Sequence, residues 1–194
     1  MTAARTSDSG PAFADRDFAG SFALAPGSAF ERCTFRGVNL QSADLSRCRF
    51  VDCRFEGSNL SVARLAGAVL QDVAFRDCKL TGVDWAVAQR LACLAFESCV
   101  LDECAFVKLD LRDVVFRRCR LRGAVFAETD LSGADFRESD LTGAQFLRTR
   151  LAGADLRGAR GYVIHPGEND VKGLRASMPD AAGLVTALGV VLEL

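Results

Sequence analysis

The 194-residue sequence holds one histidine, one tryptophan, one tyrosine, two methionines and four prolines. A single imidazole, His165, leaves no Cys–His pair or Ser–His–Asp set for nucleophilic catalysis, and no second histidine for a metal centre. No run approaches the roughly 18 consecutive apolar residues that span a bilayer, so no membrane partner is expected. The opening stretch, MTAARTSDSGPAFADRDF, has no apolar segment of secretory type, and the expectation is a cytoplasmic chain. Charge of one sign is missing as well: a formal net charge of −1 predicts no generic attraction to nucleic acid or anionic lipid. Gly-rich phosphate loops, Gly-x-Ser-x-Gly elbows and carboxylate clusters at metal-loop spacing do not occur. Together these absences argue against an enzyme and against any cofactor.

Cysteine is plentiful, with eight residues. Cys48/Cys53 and Cys99/Cys104, each Cys-x4-Cys, do not match short Cys-x2–4-Cys zinc knuckles with a second ligand pair. Seven cysteines (Cys33, Cys48, Cys53, Cys78, Cys99, Cys104, Cys119) instead stand two residues before a recurring Leu or Phe, and only Cys93 breaks that rule. If coils stack at strand spacing, pairs such as Cys33/Cys53 and Cys99/Cys119 sit wider apart than the roughly 3.8 Å between disulfide Cβ atoms, so reduced thiols are expected.

What the chain does have is a five-residue period. A Leu, Phe or Trp falls at every fifth position from Phe30 to Trp85; the count then slips by one residue and resumes from Leu91 to Leu156. That period matches neither a helix of 3.6 residues per turn nor a strand of period 2, and marks a repeat architecture. Calling the recurring residue the centre, the position two before it is small or modest in size, and Gly often follows two after, as at Gly57, Gly123 and Gly143. If each coil turns four corners, residues 20 apart stack, and the columns agree: Phe35, Phe55, Phe75, Phe96, Phe116 and Phe136 form one, Leu40, Leu60, Leu80, Leu101, Leu121 and Leu141 another. A third, Leu45, Leu65, Trp85, Phe106, Phe126, Phe146, turns from aliphatic to aromatic at the slip.

The triplets Ala43-Asp44-Leu45, Ala134-Asp135-Phe136 and Ala154-Asp155-Leu156 resemble the pentapeptide-repeat family, over about residues 30–160. The resemblance implies an all-β solenoid, a right-handed quadrilateral β-helix of about six and a half coils. The stretch 82–99 and the ending with Gly161, Tyr162, Pro166, Asn169 and Pro179 further resemble the topoisomerase-protecting branch of that family. Members of the branch shield bacterial DNA gyrase, and in some cases topoisomerase IV, from quinolones or from poisons such as albicidin and cystobactamid. They are dimers whose rods approximate B-form DNA in size and charge. This chain departs from the branch in having a one-residue slip where some members carry long loops, and in a net charge of +2 over residues 30–160. Any DNA mimicry must therefore come from one stripe.

The divisions expected are a disordered leader over 1–12, an N-terminal cap or irregular first coil over 13–29, the β-helix over 30–160, and a dimerisation module over 161–194. In that module Pro179 occupies the first turn of a helix capped by Ser177 or Met178; Ala181, Leu184, Val185 and Leu188 share a face, and Gly189 stops it. A short strand of Val190, Val191 and Leu192 follows. A second copy would cover the apolar face, with Leu184, Val185, Leu188, Val190 and Leu192 at the dimer interface; the alternative is a monomeric cap. The candidate acidic stripe is Asp52, Asp72 and Asp113, with Asp102 and Glu103 on the same middle coils. The run Arg117, Arg137, Arg157 is costly unless a partner, an anion or a neighbouring carboxylate meets it. Either run also reads as a solvated face. The slip over Ala86, Val87, Ala88, Gln89 and Arg90 is open to two readings, a tolerated insertion and a partner-marking patch. Gyrase and a second copy of the chain are the expected partners, and a general protein-interaction scaffold is the alternative function.

Overall fold

The structure, a computed structural model, describes residues 10–20 and 24–191. Each pentapeptide makes one wall of a four-sided coil. The centre and the residue two before it point inward, and the residue two after it turns the corner. From Phe30 to Leu156 every centre but Trp85 is followed, two residues on, by a left-handed backbone with φ between +50° and +73°. Most of these corners are not glycine. Coil-to-coil hydrogen bonds hold them, as from Asp52 N to Gln71 O (3.1 Å) and from Asp113 N to Ser132 O (2.9 Å).

Most strands are short because a corner ends them; two run on through their corners at Asp72 and Cys93. In chain order they are β1 (Ala12–Ala14), β2 (Asp17–Ala19), β3 (Ala29–Glu31), β4 (Thr34–Arg36), β5 (Arg49–Val51), β6 (Arg54–Glu56), β7 (Val69–Arg76), β8 (Arg90–Glu97), β9 (Ala105–Val107), β10 (Val115–Arg117), β11 (Val125–Ala127), β12 (Gln145–Leu147), β13 (Asp155–Leu156) and β14 (Arg175–Ala176). All pair in parallel with the coils above and below. Strands β1, β3, β5 and the first halves of β7 and β8 build a first face; β2, β4, β6, the second halves of β7 and β8, and β10 build a second. On the fourth face β9, β11 and β12 stack. The register is 20 residues, as in Phe35↔Phe55, and 21 across the slip, as in Leu70↔Leu91.

Inside, the Phe column of the second face stacks ring on ring, with centroids 4.4 Å apart for Phe35–Phe55 and 5.1 Å for Phe96–Phe116. Neighbouring columns meet edge to face, as Phe106 does Phe116 at 5.4 Å. A second aromatic column runs up the first face as Phe13, Phe30 and Phe50, then gives way to Leu70; from Trp85 it continues on the adjacent fourth face through Phe106, Phe126 and Phe146. The interior thus changes its packing in the coil that carries the extra residue.

The solenoid has about eight turns, more than the six and a half expected, because it extends past both expected boundaries. At the start, Phe13 pairs with Phe30 and Phe18 with Phe35, a coil of 17 residues, which explains why these two phenylalanines lie out of phase. Gly10 N already donates to Gly27 O (3.0 Å) and Ala12 pairs with Ala29, so the end of the expected leader belongs to this coil. Residues 1–9 lie outside those described. At the far end Asp170 pairs with Arg150 and Arg175 with Asp155, which moves the boundary expected at 160 to 176. The last coil keeps the walls but exchanges roles: its centres are small or irregular (Gly161, Pro166, Val171, Ala176), and the residues two before them, Ile164, Asn169 and Leu174, fill the interior. Buried Asn169 closes it, accepting from Thr149 N (2.8 Å) and donating to Phe146 O and His165 O (both 3.1 Å).

The C-terminal helix α1 is only Ala182–Thr186, and Ala181 rather than Ser177 or Met178 precedes it. Gly189, at φ +81°, follows it. Leu184 packs on the rod's core whereas Val185 and Leu188 face outward, so the expected shared face is divided. Val190 and Val191 form no strand, and Leu192 lies outside the described residues.

Candidate functional site

Among the described residues no three His, Cys, Asp or Glu side chains converge as a metal site. No helix is long and apolar enough to cross a membrane. The seven wall cysteines are buried and free. Cys78, Cys99 and Cys119 stack in one column and each donates to the carbonyl of Phe55, Phe75 or Phe96 at 3.4 Å. Burial pushes the Cys53 thiol up to about 11 and Cys104 to about 12, out of the reactive range. His165 lies exposed in the last coil.

The outer surface carries what chemistry there is. Charges on the second and third faces are largely matched. Arg36 pairs with Glu56 (3.2 Å) and Arg76 with Glu97 (2.9 Å); Glu97 also meets Arg118. Higher up, the Arg117, Arg137, Arg157 run is met by a neighbouring carboxylate column, with Asp135 at 2.5 Å from Arg117 and 2.8 Å from Arg137, and Asp155 at 2.6 Å from Arg157. Arg137 beside Asp135, and Arg157 beside Asp155, hold those carboxyls below the usual range. Asp140 is nearly buried; against the cost of burial, the Thr142 hydroxyl, Arg122 (2.8 Å) and Arg160 (3.1 Å) hold its carboxyl well down too. These are structural ladders. The outward residues of β9, β11 and β12 (Ala105, Val107, Val125, Ala127, Gln145, Leu147) carry no charge at all.

Asp52, Asp72 and Asp113 stack as corner residues between the first and second faces, all exposed, with Cys93 among them. No ion pair to any of the three is formed among the described residues, which sets this column apart from the matched ones. Asp113 lies over Gly133, where a Cβ would collide with its carboxylate. Asp102 and Glu103 are not part of this stripe. They follow Leu101, two walls on from Leu91, at the opposite corner, where the coils stack as Lys79, Val100 and Arg120. Asp102 is moreover occupied by Arg120 at 2.7 Å. Counting fives along the sequence would have separated the two groups.

The slip is a bulge. Gln89 N and Arg90 N both donate to Ala68 O, at 2.8 and 3.3 Å, so two residues oppose one. Val87, at the corner, lacks the left-handed backbone of its counterparts and is half-exposed, at 45%. Above the bulge, on the first face, is an open depression of about 400 Å³ lined by Arg90, Leu91, Cys93, Asp110, Arg112 and Asp113. The sequence marked the slip but not this opening on its far side. At the rod's end Met178 (74%), Leu188 (62%) and Val191 (83%) are exposed, with Val185 and Val190 less so.

Family models for a pentapeptide repeat region and for pentapeptide repeats match residues 28–94 and 119–158, together over half the chain. The chain belongs to the pentapeptide-repeat family. Among solved structures it is similar to trypsin-treated QnrB1, a plasmid-mediated fluoroquinolone resistance protein, with TM-score 0.62 and 18% identity over 94% of this chain and 100% of that one. Full-length QnrB1 aligns with TM-score 0.51 and 18% identity, over 93% and 100% of the two chains. HetL, a pentapeptide-repeat protein involved in heterocyst differentiation regulation in a Nostoc cyanobacterium, aligns at 0.37 and 20% over 87% and 90%. No curated protein sequence matches. The QnrB1 likeness establishes the shared fold of the pentapeptide-repeat rod.

Proposed function

We propose that this pentapeptide-repeat protein is a non-enzymatic binding protein of bacterial DNA gyrase, with topoisomerase IV a further target, that protects the enzyme from a topoisomerase poison. The observation that carries the reading is the full-length likeness to a fluoroquinolone resistance protein, which spans all of that chain and nearly all of this one. In this reading two copies join end to end through the exposed residues around α1, and the rod engages the enzyme in the cytoplasm. Mimicry of DNA is partial, since the arginine run is neutralised while the Asp52, Asp72, Asp113 column forms no ion pair among the described residues. Stacked at strand spacing of about 4.8 Å per coil, that column is comparable with the 3.4 Å per charge along a DNA strand. Supercoiling and cleavage assays with purified gyrase, with and without a quinolone or albicidin, test the proposal. Rescue of supercoiling supports it; neither rescue nor inhibition at micromolar protein sinks it. The paired charge ladders favour a second reading, a scaffold for another protein, which a pull-down free of topoisomerase would reveal.

A further inference from the structure

We propose that the coil with the extra residue presents a strand-receiving cleft on the first face, whose ligand is an extended segment of a partner protein with a basic side chain beside an apolar one. This rests on the partner-binding reading above and assigns it a place on the rod.

The backbone shows the cleft first. Along the first face, pairing runs through residues 29, 49, 69 and 90, and again through 110, 130, 150 and 170, but nothing joins 90 to 110. The third face is unbroken from 39 to 160, and the second from 34 to 175; the fourth lacks one pairing, between 64 and 84 in the coil just before the slip. One coil above the gap the three usual bonds are present, from Leu111 N to Asp130 O (2.8 Å), Asp113 N to Ser132 O (2.9 Å) and Asp130 N to Leu109 O (2.9 Å). Their counterparts one coil lower, from the N–H groups of Leu91, Cys93 and Asp110, are absent among the described residues. The bulge explains this: Gln89 and Arg90 are both drawn to Ala68 in the coil below, so the chain is released by the coil above. Leu91 is accordingly the one ladder centre between Phe30 and Leu156 that is not buried.

An exposed row of unpaired N–H and C=O groups is a template for an added strand, and main-chain bonds of this kind give affinity without sequence demands. The side chains add the demands. Arg112 is tied to Asp110 at 2.6 Å. That leaves Arg90 and Asp113 on the lining, and Asp72, against the Cys93 thiol one coil below, brings the neighbourhood to an excess of one negative charge, which selects a basic residue. Leu91 offers the apolar contact. Cys93 lies at the centre of the cleft and is the single exposed cysteine of the eight.

Deleting Gln89 restores the unbroken five-residue period and should close the ladder, while N-ethylmaleimide on Cys93 should block the cleft without touching the fold. Hydrogen exchange on the full chain is expected to show the Leu91, Cys93 and Asp110 amides exchanging about 100-fold faster than those of Leu111, Asp113 and Asp130, and slowed in the deletion variant. A phage-displayed library of random peptides, selected on the wild-type protein, should yield basic–apolar sequences that bind about tenfold more weakly to the deletion variant and to the labelled protein. Equal protection of the two sets of amides, or no peptide that labelling displaces, overturns the proposal; should the deletion variant not fold, labelling alone decides. Gyrase provides the separate arm. Gyrase that binds labelled and unlabelled protein alike removes the cleft from the gyrase contact and spares the proposed function. Gyrase that binds neither sinks that function, and the peptide result still decides the cleft.

Discussion

Replacing Leu188 with Asp should abolish self-association without destabilising the rod. Leu188 is 62% exposed beside Met178 (74%), Val191 (83%), Val190 (47%) and Val185 (38%). Full burial of such a side chain is worth about 1.5–3 kcal/mol, so these fractions leave about 1–2 kcal/mol unrealised per residue and about 10–18 kcal/mol for two copies. Association costs about 4–15 kcal/mol in lost freedom. The middle of the two ranges leaves a surplus of about 5 kcal/mol, a Kd on the order of 100 µM. Losing two leucines and desolvating two carboxylates removes about 4 kcal/mol or more, at least about a thousandfold in Kd. Sedimentation equilibrium between about 10 and 500 µM brackets the expected Kd. A wild type that stays monomeric across that range, or a Leu188→Asp variant that associates as the wild type does, refutes the reasoning. Leu184→Asp is the contrast: Leu184 packs on the core, so that variant should lower the melting temperature.

Four further outcomes follow from the geometry. Phe116→Ala deletes a buried ring in contact with Phe96, Phe106, Phe126 and Phe136 and should cost about 3–5 kcal/mol, read from urea unfolding. Val62 is β-branched with φ of 51° and half-exposed; Val62→Asn, which tolerates that backbone, should raise stability by about 0.5–1 kcal/mol. Asp135, Asp140 and Asp155 have carboxyls depressed below their unfolded value of about 3.9, so their stabilisation is complete above about pH 4 and is lost as pH falls below it. Melting temperatures measured against pH should therefore be flat between about pH 5 and 8 and fall below about pH 4, less steeply in Asp140→Asn. The hydrogen bond and charge of Asp72 raise the Cys93 thiol, so maleimide labelling should be slow at neutral pH and faster in Asp72→Asn; an unchanged rate would separate the two groups.

The corner chemistry shows why some of this was readable and some was not. A five-residue period leaves the chain one way to bury Leu and Phe, so the walls, the 20-residue register and the buried place of seven cysteines follow from counting. Asp52, Asp72 and Asp113 stack for the same reason, and the same count puts Asp102 and Glu103 across the rod from them. The last coil escaped because volume, not identity, is what the interior needs. Ile164 and Leu174 fill from the wall position the space that a centre fills elsewhere, and a pattern based on centres ends at Leu156. Helix α1 misled for a related reason. Periodicity grouped Leu184 with Leu188, but α1 ends at Thr186, so Leu184 docks on the core from within the helix while Leu188 lies beyond its end and exposed.

By itself the sequence determined the solenoid, its stacked columns and the position of the slip, because all three are set by spacing along the chain. Only the tertiary structure decided which charges are free, since an arginine is neutralised by a carboxylate one coil away or left bare according to rotamer and corner. It likewise decided that, on the first face, the extra residue opens the ladder above itself rather than below. One residue too many must unpair something, and the bonds that Gln89 and Arg90 make to Ala68 determine which side gives way.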